Sequence, residues 1–160
     1  MDVDLRDRIA VTDLIHRFAM AIDDRDWTVF ADCLQDPVSV ELDSSIGGSD
    51  PSPQAVADRV KLARKFFEPF EATHHHVTVY SVRYASIGSK GDELEVRSYF
   101  RAGHFKRHFV GGASFEQMGD YRHRCVRTDD GWRISGWKQR IAYTAGNTAL
   151  LARGGDAADD

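Results

Sequence analysis

Residues 94–104, Leu-Glu-Val-Arg-Ser-Tyr-Phe-Arg-Ala-Gly-His, alternate between two kinds of side chain along their length. Successive side chains of a β-strand point to opposite faces, so the alternation predicts a strand with one buried face and one solvated face. The charged residues and the tyrosine share the solvated face. The residues predicted to face the core are Leu94, Val96, Ser98, Phe100, Ala102 and His104.

Three further stretches extend this pattern into a sheet. Residues 115–125 alternate in the same way, one strand begins at Thr73, and another runs from Trp132 to Tyr143. Turn signals separate the stretches at residues 88–92, 111–112 and 129–131. The sequence therefore predicts four long antiparallel strands joined by hairpins. The residues of stretch 115–125 predicted to face the core are Phe115, Gln117, Gly119, Tyr121, His123 and Cys125.

Helical spacing characterises the chain before these strands. From Leu5 onward, apolar residues recur at offsets of three and four, which predicts an amphipathic first helix. Asp26 is placed to cap a second short helix, and Pro37 is placed to prevent its continuation. The apolar residues of the two helices are Val11, Leu14, Ile15, Phe18 and Ile22 in the first, and Trp27, Phe30 and Leu34 in the second.

A short strand and a third helix complete the N-terminal half. Alternation over residues 38–42 predicts the strand, and residues 44–53 form a loop. Ser52 and Pro53 provide a cap and a first-turn proline for a helix that continues to about Phe70. Helices packed on one face of a strongly curved antiparallel sheet make an α+β domain, with a pocket enclosed between the layers.

Composition restricts the classes of partner. The 160 residues carry 21 Lys and Arg against 25 Asp and Glu, a formal charge of -4, and 42% are hydrophobic. No apolar run is long enough to span a membrane, and no basic stripe indicates a nucleic-acid partner. A small-molecule substrate is therefore expected.

Length and the chain ends give further expectations. We expect a single domain over residues 1–149 and a flexible acidic tail over residues 150–160. Cys33 and Cys125 lack a CxxC spacing, so they are expected to be reduced and buried. The charged N-terminus lacks the apolar stretch of a secretory signal, which favours a cytoplasmic location.

Asp23 is the first candidate for chemistry. It lies at or beside the core-facing stripe of the first helix, four residues after Ala19 and eight after Ile15. A buried carboxylate needs a partner. The alternative is that Asp23 or Asp24 lies at the helix end in water, near Arg25.

The second candidate is the run Thr73-His74-His75-His76 at the start of the first long strand. Alternation places His75 with Val77 and Val79, so His75 is predicted to point inward, with His74 and His76 on the other face. A histidine against an aspartate makes a competent general base. The alternative is a histidine that only satisfies a buried hydrogen bond.

Other histidines are candidates for a metal site or for the pocket lining. His-x-His with His104 or His108 could gather three imidazoles, but a complete ligand spacing is missing, so no metal is predicted. His104, His123 and Tyr121 fall on inner faces and could line the pocket or be core residues. His16 borders the polar side of the first helix and is expected at the surface.

Several short motifs together resemble a known family. They are Asp23-Asp24-Arg25-Asp26-Trp27, Thr73-His74-His75, His104, Gly119-Asp120-Tyr121 and Asp130-Gly131-Trp132-Arg133-Ile134. Their order over about residues 5 to 145 resembles the SnoaL-like branch of the NTF2-like superfamily, which includes scytalone dehydratase and hexachlorocyclohexane dehydrochlorinase. The chain departs from the dehydratase pattern at Ile22, where a tyrosine is usual, and at Val79, where many relatives carry asparagine.

The resemblance implies a cone-shaped fold with an internal pocket and an Asp-His dyad. The dyad residues match Asp23 and His75, and a second catalytic histidine matches His104. The implied function is that of a cofactor-free lyase or isomerase acting on a small, cyclic, apolar substrate, in a homodimer or homotrimer. A non-catalytic binding or accessory subunit, or a polyketide-cyclase-like protein, remains the alternative. The residues expected to contact substrate are Tyr121, His74, Val40, Trp27 and Phe100.

Overall fold

The first helix follows the predicted apolar stripe. The computed structural model describes residues 2–85 and 92–152, and α1 spans Leu5–Asp23. The carboxylate of Asp4 accepts a hydrogen bond from the backbone N–H of Arg6 at 2.8 Å, which satisfies one of the free donors at the helix start. The predicted stripe is buried, and His16 is exposed as expected.

The second helix is shorter than the sequence suggested. Helix α2 spans Trp27–Asp32, and Asp26 caps it by accepting the N–H of Val29 at 3.0 Å. The prediction that Leu34 belongs to this helix is wrong, because Leu34 begins strand β1, Leu34–Glu41. Leu34 pairs with Ile134 of a distant strand, so tertiary pairing overrides the local helical spacing.

The third helix begins later than the proline suggested. Helix α3 spans Val56–Phe67, so the predicted cap at Ser52 and the predicted end near Phe70 are both wrong. The backbone of Gln54 exchanges two 2.9 Å hydrogen bonds with Val38 of β1, which holds the preceding segment extended. The carboxylate of Asp36, on β1, accepts the backbone N–H of Val56 at 3.1 Å and so satisfies a donor at the helix start.

Five strands form one mixed sheet in the order β1-β5-β4-β3-β2. The four long strands are antiparallel neighbours as predicted, whereas β1 lies parallel to β5. The α+β fold class is confirmed. The predicted turn at residues 88–92 lies outside the described residues except for its last residue. The four long strands are β2 Ala72–Tyr84, β3 Glu93–Phe105, β4 Ser114–Thr128 and β5 Gly131–Gly146.

Register shifts interrupt the hydrogen-bond ladders of three strand pairs, which are β1 with β5, β2 with β3 and β4 with β5. Such irregularities bend a strand and increase its twist, which curves the sheet around the helices. Gly119 permits the tightest approach, because a Cβ there would lie 1.9 Å from the carbonyl oxygen of Arg140 and 3.1 Å from the ring of Phe100. A side chain at this position would therefore clash with both groups.

The chain continues in ordered structure beyond the predicted domain boundary. A short helix, α4, spans Ala149–Ala152, and Leu150 is only 2% exposed in a cluster with Phe70 and Phe115. The prediction that the flexible tail begins at residue 150 is therefore wrong for its first residues. Cys33 and Cys125 are buried free thiols, as expected. Among the described residues, no helix is long and apolar enough to cross a bilayer.

Candidate active site

Asp23 and His75 meet where the end of α1 faces the start of β2. The carboxylate Oδ1 of Asp23 lies 2.6 Å from Nδ1 of the His75 ring, and Oδ2 accepts the backbone N–H of His75 at 2.7 Å. The His75 side chain is 6% exposed. With Nδ1 held by a carboxylate, the ring's lone pair is at Nε2, which makes no hydrogen bond to the residues described. Nε2 is thus the atom available for proton transfer.

Thr73 and Arg25 hold the aspartate in place. The Thr73 hydroxyl donates to Asp23 at 3.0 Å and accepts from Nη1 of Arg25 at 2.7 Å. Burial raises the pKa of Asp23, but hydrogen bonds and charge from His75 and the Thr73 hydroxyl outweigh it, so the net pKa lies below its usual value. Asp23 is therefore an anion at neutral pH.

Arg25 joins three elements at this point. Its guanidinium also donates to the carbonyls of Ile22 at 2.6 Å and Phe67 at 3.2 Å, at the ends of α1 and α3. Its backbone has φ 57°, a left-handed conformation that ends α1 abruptly. From the sequence, Arg25 is only a neighbour of Asp23 and Asp24 at the helix end, and no periodic signal indicates this part-buried network.

A cavity of about 600 Å³ opens between the helices and the inner face of the sheet. Its volume falls in the range of small-molecule sites. Aromatic and aliphatic side chains from α1, α2 and α3 form one side of its wall. Polar and aromatic side chains also line it, among them Arg59, His75, His104, Gln117, Tyr121 and Trp137.

His104 lies beside His75 in an aromatic surrounding. The two imidazole centroids are 6.2 Å apart, and the His104 ring stacks on Phe67 and lies 5.0 Å from Phe70. Burial, together with the nearby His75, lowers the pKa of His104 to about 4. His104 is therefore neutral at pH 7, with an Nδ1 that has no hydrogen-bond partner.

One row of paired residues connects His75 to a second polar group. His75 pairs with Ala102 of β3, and Ala102 pairs with Gln117 of β4. Directly paired residues share a face, so the methyl group of Ala102 leaves open space between two longer side chains. Gln117 is 4% exposed, and its Nε2 donor has no partner. Two strand spacings place the two side-chain attachment points about 10 Å apart.

Tyr121 lines the cavity as predicted and is held by its neighbours. Its ring stacks on Phe100 with centroids 4.2 Å apart, and Nε2 of Gln139 donates to its hydroxyl at 3.4 Å. Burial raises the pKa of Tyr121, so its hydroxyl stays protonated. Tyr121 can therefore donate a hydrogen bond into the cavity.

Four residues expected to contact substrate lie elsewhere. His74 is exposed on the outer face, because strand alternation turns it away from His75. Val40 is fully buried in the core, and Trp27 packs between Phe30 and Phe67. Phe100 stacks against the ring of Tyr121 and does not itself line the cavity.

Two polar groups that sequence reasoning did not single out also line the cavity. Gln117 was placed on the inner face but given no role. Arg59 stands three residues after Val56 and four before Ala63, on the apolar stripe of α3, and this spacing was the available signal. Within residues 2–85 and 92–152, no group of three His, Cys, Asp or Glu residues is placed to hold a metal ion.

Comparisons with known proteins bear on this fold. A family model for the SnoaL-like domain matches residues 3–138. The structure of the Kfla4162 protein from Kribbella flavida is 30% identical, with a TM-score of 0.79 over 92% of this chain and 97% of that one. No curated protein matches the chain.

Two structures of lower identity share the fold. A scytalone dehydratase candidate from Novosphingobium aromaticivorans is 18% identical, with a TM-score of 0.75 over 91% of both chains. The type 3 hexachlorocyclohexane dehydrochlorinase of Novosphingobium barchaimii is 19% identical, with a TM-score of 0.68 over 90% of this chain and 92% of that one. The match to residues 3–138 covers most of the sequence. The chain therefore belongs to the SnoaL-like domain family, within the NTF2-like superfamily.

Proposed function

We propose that the protein is a cofactor-free lyase or isomerase that removes a proton from carbon beside a carbonyl group. The observation that carries the proposal is the 2.6 Å contact between Asp23 and Nδ1 of His75 at the wall of an open cavity. An accessory subunit does not need Asp23 and His75 in contact within an open cavity. The likeness to a dehydratase and a dehydrochlorinase is consistent with this class of reaction.

His75 is the proposed general base. Nε2 takes the proton from carbon, and the electron pair of the broken C–H bond moves into an enolate. The Asp23 carboxylate holds the ring in the required tautomer and stabilises the imidazolium that forms. Expulsion of a hydroxide or halide from the neighbouring carbon completes an elimination, and return of the proton to a different carbon completes an isomerisation.

Gln117 and His104 are the proposed partners of the developing oxyanion. Nε2 of Gln117 is a buried donor without a partner, on the same row of the sheet as His75. A pre-placed donor of this kind stabilises negative charge as it forms. His104 is neutral at pH 7, so it serves as a hydrogen-bonding group and not as a charged acid. Tyr121 is the remaining candidate donor to a leaving group.

Proton exchange tests the base without knowledge of the leaving group. A cyclic ketone such as 1-tetralone is incubated with enzyme in D2O, and deuterium incorporation beside the carbonyl is followed by NMR. We expect His75→Gln to lose at least about 10² to 10⁴-fold in exchange rate, since general bases contribute about this much. Glutamine retains similar size and a hydrogen bond to Asp23, so thermal stability should change little.

The matched control is His74→Gln, which alters the exposed neighbour on the same strand. It should exchange at the parent rate. Exchange by His75→Gln at nearly the parent rate would exclude His75 as the base.

The expected homo-oligomer and the expected cytoplasmic location stay predictions. Sedimentation velocity measures the oligomeric state.

A further inference from the structure

Arg59 is a half-buried cation without a counter-ion. It projects from α3 into the cavity wall, and its Nε atom is buried with no hydrogen-bond partner. The guanidinium carbon lies 5.4 Å from the ring centroid of Trp137, on β5. Among the residues that the structure describes, none forms an ion pair or side-chain hydrogen bond with Arg59.

This arrangement differs from that of the other buried arginine near the site. Arg25 donates to four oxygen atoms, whereas Arg59 has only an aromatic face beside it. Asp50 also lines the cavity, but its carboxylate accepts the backbone N–H of Ser52 in an exposed loop. A guanidinium keeps its charge in proteins, so Arg59 brings to the cavity wall a positive charge that no described carboxylate pairs with directly.

We propose that Arg59 forms an anion-binding subsite and that the substrate is a flat, mostly apolar molecule carrying a carboxylate. Because this subsite lies in the same cavity, its assignment to the substrate rests on the proposed function. The planar guanidinium presents paired N–H donors that match a carboxylate. Trp137 lies within cation–π distance of the guanidinium carbon, so its ring can stabilise the cation while a ligand accepts hydrogen bonds from the N–H donors.

The order of strands places this subsite away from the base. Trp137 lies on β5 and His75 on β2, with β4 and β3 between them. Three strand spacings correspond to about 14 Å along the sheet. The reacting carbon and the carboxylate would therefore occupy opposite ends of a molecule about two or three rings long. The apolar wall between them would contact the rings.

The burial of Arg59 is consistent with a site that binds an anion. It lowers the pKa of Arg59, and no carboxylate contributes in the opposite direction. Gln117, in the same cavity, has a buried donor without a partner among the described residues, so it can donate a hydrogen bond to a polar atom of the same ligand.

Matched ligands test the subsite by binding alone. Calorimetry compares benzoate, 2-naphthoate and biphenyl-4-carboxylate with the corresponding neutral amides at pH 7.5. The parent protein should bind at least one carboxylate about 10-fold or more tighter than its amide, since a hydrogen bond between two charged groups is stronger than one to a neutral group. Arg59→Gln should abolish this preference, and Arg59→Lys should retain part of it. Arg64→Gln, which removes an exposed cation of the same helix that does not line the cavity, should leave it unchanged.

The stability of the unliganded protein provides a second measurement. Arg59→Met removes an uncompensated charge and keeps an apolar stem over Trp137, so Tm should stay the same or rise. A large fall in Tm would show that Arg59 stabilises the fold, and would overturn the subsite. Equal affinity for acid and amide in all three pairs, or no binding of any of them, would overturn it equally.

His75→Gln separates this inference from the proposed reaction. The variant should keep the carboxylate preference while losing proton exchange. A variant that still exchanges protons but binds carboxylate through Arg59 would refute the reaction and support the subsite. Retention of the carboxylate preference in Arg59→Gln would refute the subsite and leave the reaction standing.

Discussion

Asp23 holds both the backbone and the ring of His75. One carboxylate oxygen accepts the backbone N–H and the other contacts Nδ1, so strand start and imidazole are fixed by the same group. A ring fixed in this way points one nitrogen at the cavity without a further partner. Preorganisation of this kind reduces the rearrangement needed when substrate binds.

Thr73→Val tests how much the geometry of Asp23 depends on one hydroxyl. Valine has nearly the same shape, but it removes the donor to Asp23 and the acceptor for Arg25. We expect the proton-exchange kcat to fall about 10-fold with KM nearly unchanged, because a displaced aspartate affects the transition state more than binding. The free energy of unfolding should fall by about 1 to 2 kcal/mol.

Thr78→Val is the control for this change, since Thr78 lies exposed on the outer face of the same strand. Both measured quantities should stay at the parent values. A Thr73→Val protein that is destabilised but retains its full kcat would limit Thr73 to a structural role.

The sequence predicted individual inner-face residues well and polar networks poorly. Alternation distinguished His75 from His74, because a strand permits only two directions for a side chain. Arg25 was missed, since its side chain bonds to residues more than forty positions away that no local pattern brings together. Val40 was expected to contact substrate but is buried in the core. Alternation predicts that a residue lies on the inner face, but it does not show how far the cavity extends along that face.

Element boundaries followed the same division between local and distant causes. The caps of α1 and α2 lie next to their helices, and Asp26 was identified from the sequence. The start of α3 is set by Gln54 pairing with β1 and by Asp36, neither of which a cap rule detects. Strand β1 joins the sheet through parallel pairing, which also requires a distant partner.

Helix α4 is a small element with a large predicted effect. Leu150 is buried against Phe70 and Phe115, and the neighbouring Leu151 lines the cavity. Leu150→Ala should lower the free energy of unfolding by about 2 to 4 kcal/mol, because buried leucine truncations leave a cavity. Urea denaturation measures this loss. Leu62→Ala, at a side chain that is 50% exposed, should cost far less.

An unchanged denaturation midpoint for Leu150→Ala would show that α4 detaches in solution, as the sequence-based boundary at residue 149 implied. The apolar pair at residues 150–151 was the available signal, but two residues are too few for periodicity to indicate a helix.

On the scale of the whole molecule, the sheet distributes the site across its strands. The base lies on β2, His104 on β3, Gln117 and Tyr121 on β4, and Trp137 on β5. The helices cover this inner face and supply the apolar wall. Burial of these polar groups has a cost, because His104 and Gln117 each have a buried polar atom without a partner among the described residues. Part of this cost can be measured as a change in the free energy of unfolding with pH.

Acidification should destabilise the protein through two buried histidines. Burial lowers the pKa of His104 to about 4 and that of His123 to about 3. Between these values and the unfolded value of 6.5, the unfolded chain binds more protons than the folded one, so stability falls as pH falls. Above pH 6.5 the effect is absent, and Asp23, whose pKa is lowered, contributes only at more acidic pH.

Urea denaturation at pH 7 and pH 5 measures this linkage, with each histidine expected to remove about 2 kcal/mol of stability over that interval. His104→Gln should therefore lose about 2 kcal/mol less than the parent between the two pH values, whatever its stability at pH 7. His16→Gln is the control, since His16 is exposed and its removal should leave the difference unchanged. A parent-like pH difference in His104→Gln would mean that His104 accepts a proton in the folded protein, and its proposed role as a neutral hydrogen-bonding group would have to be abandoned.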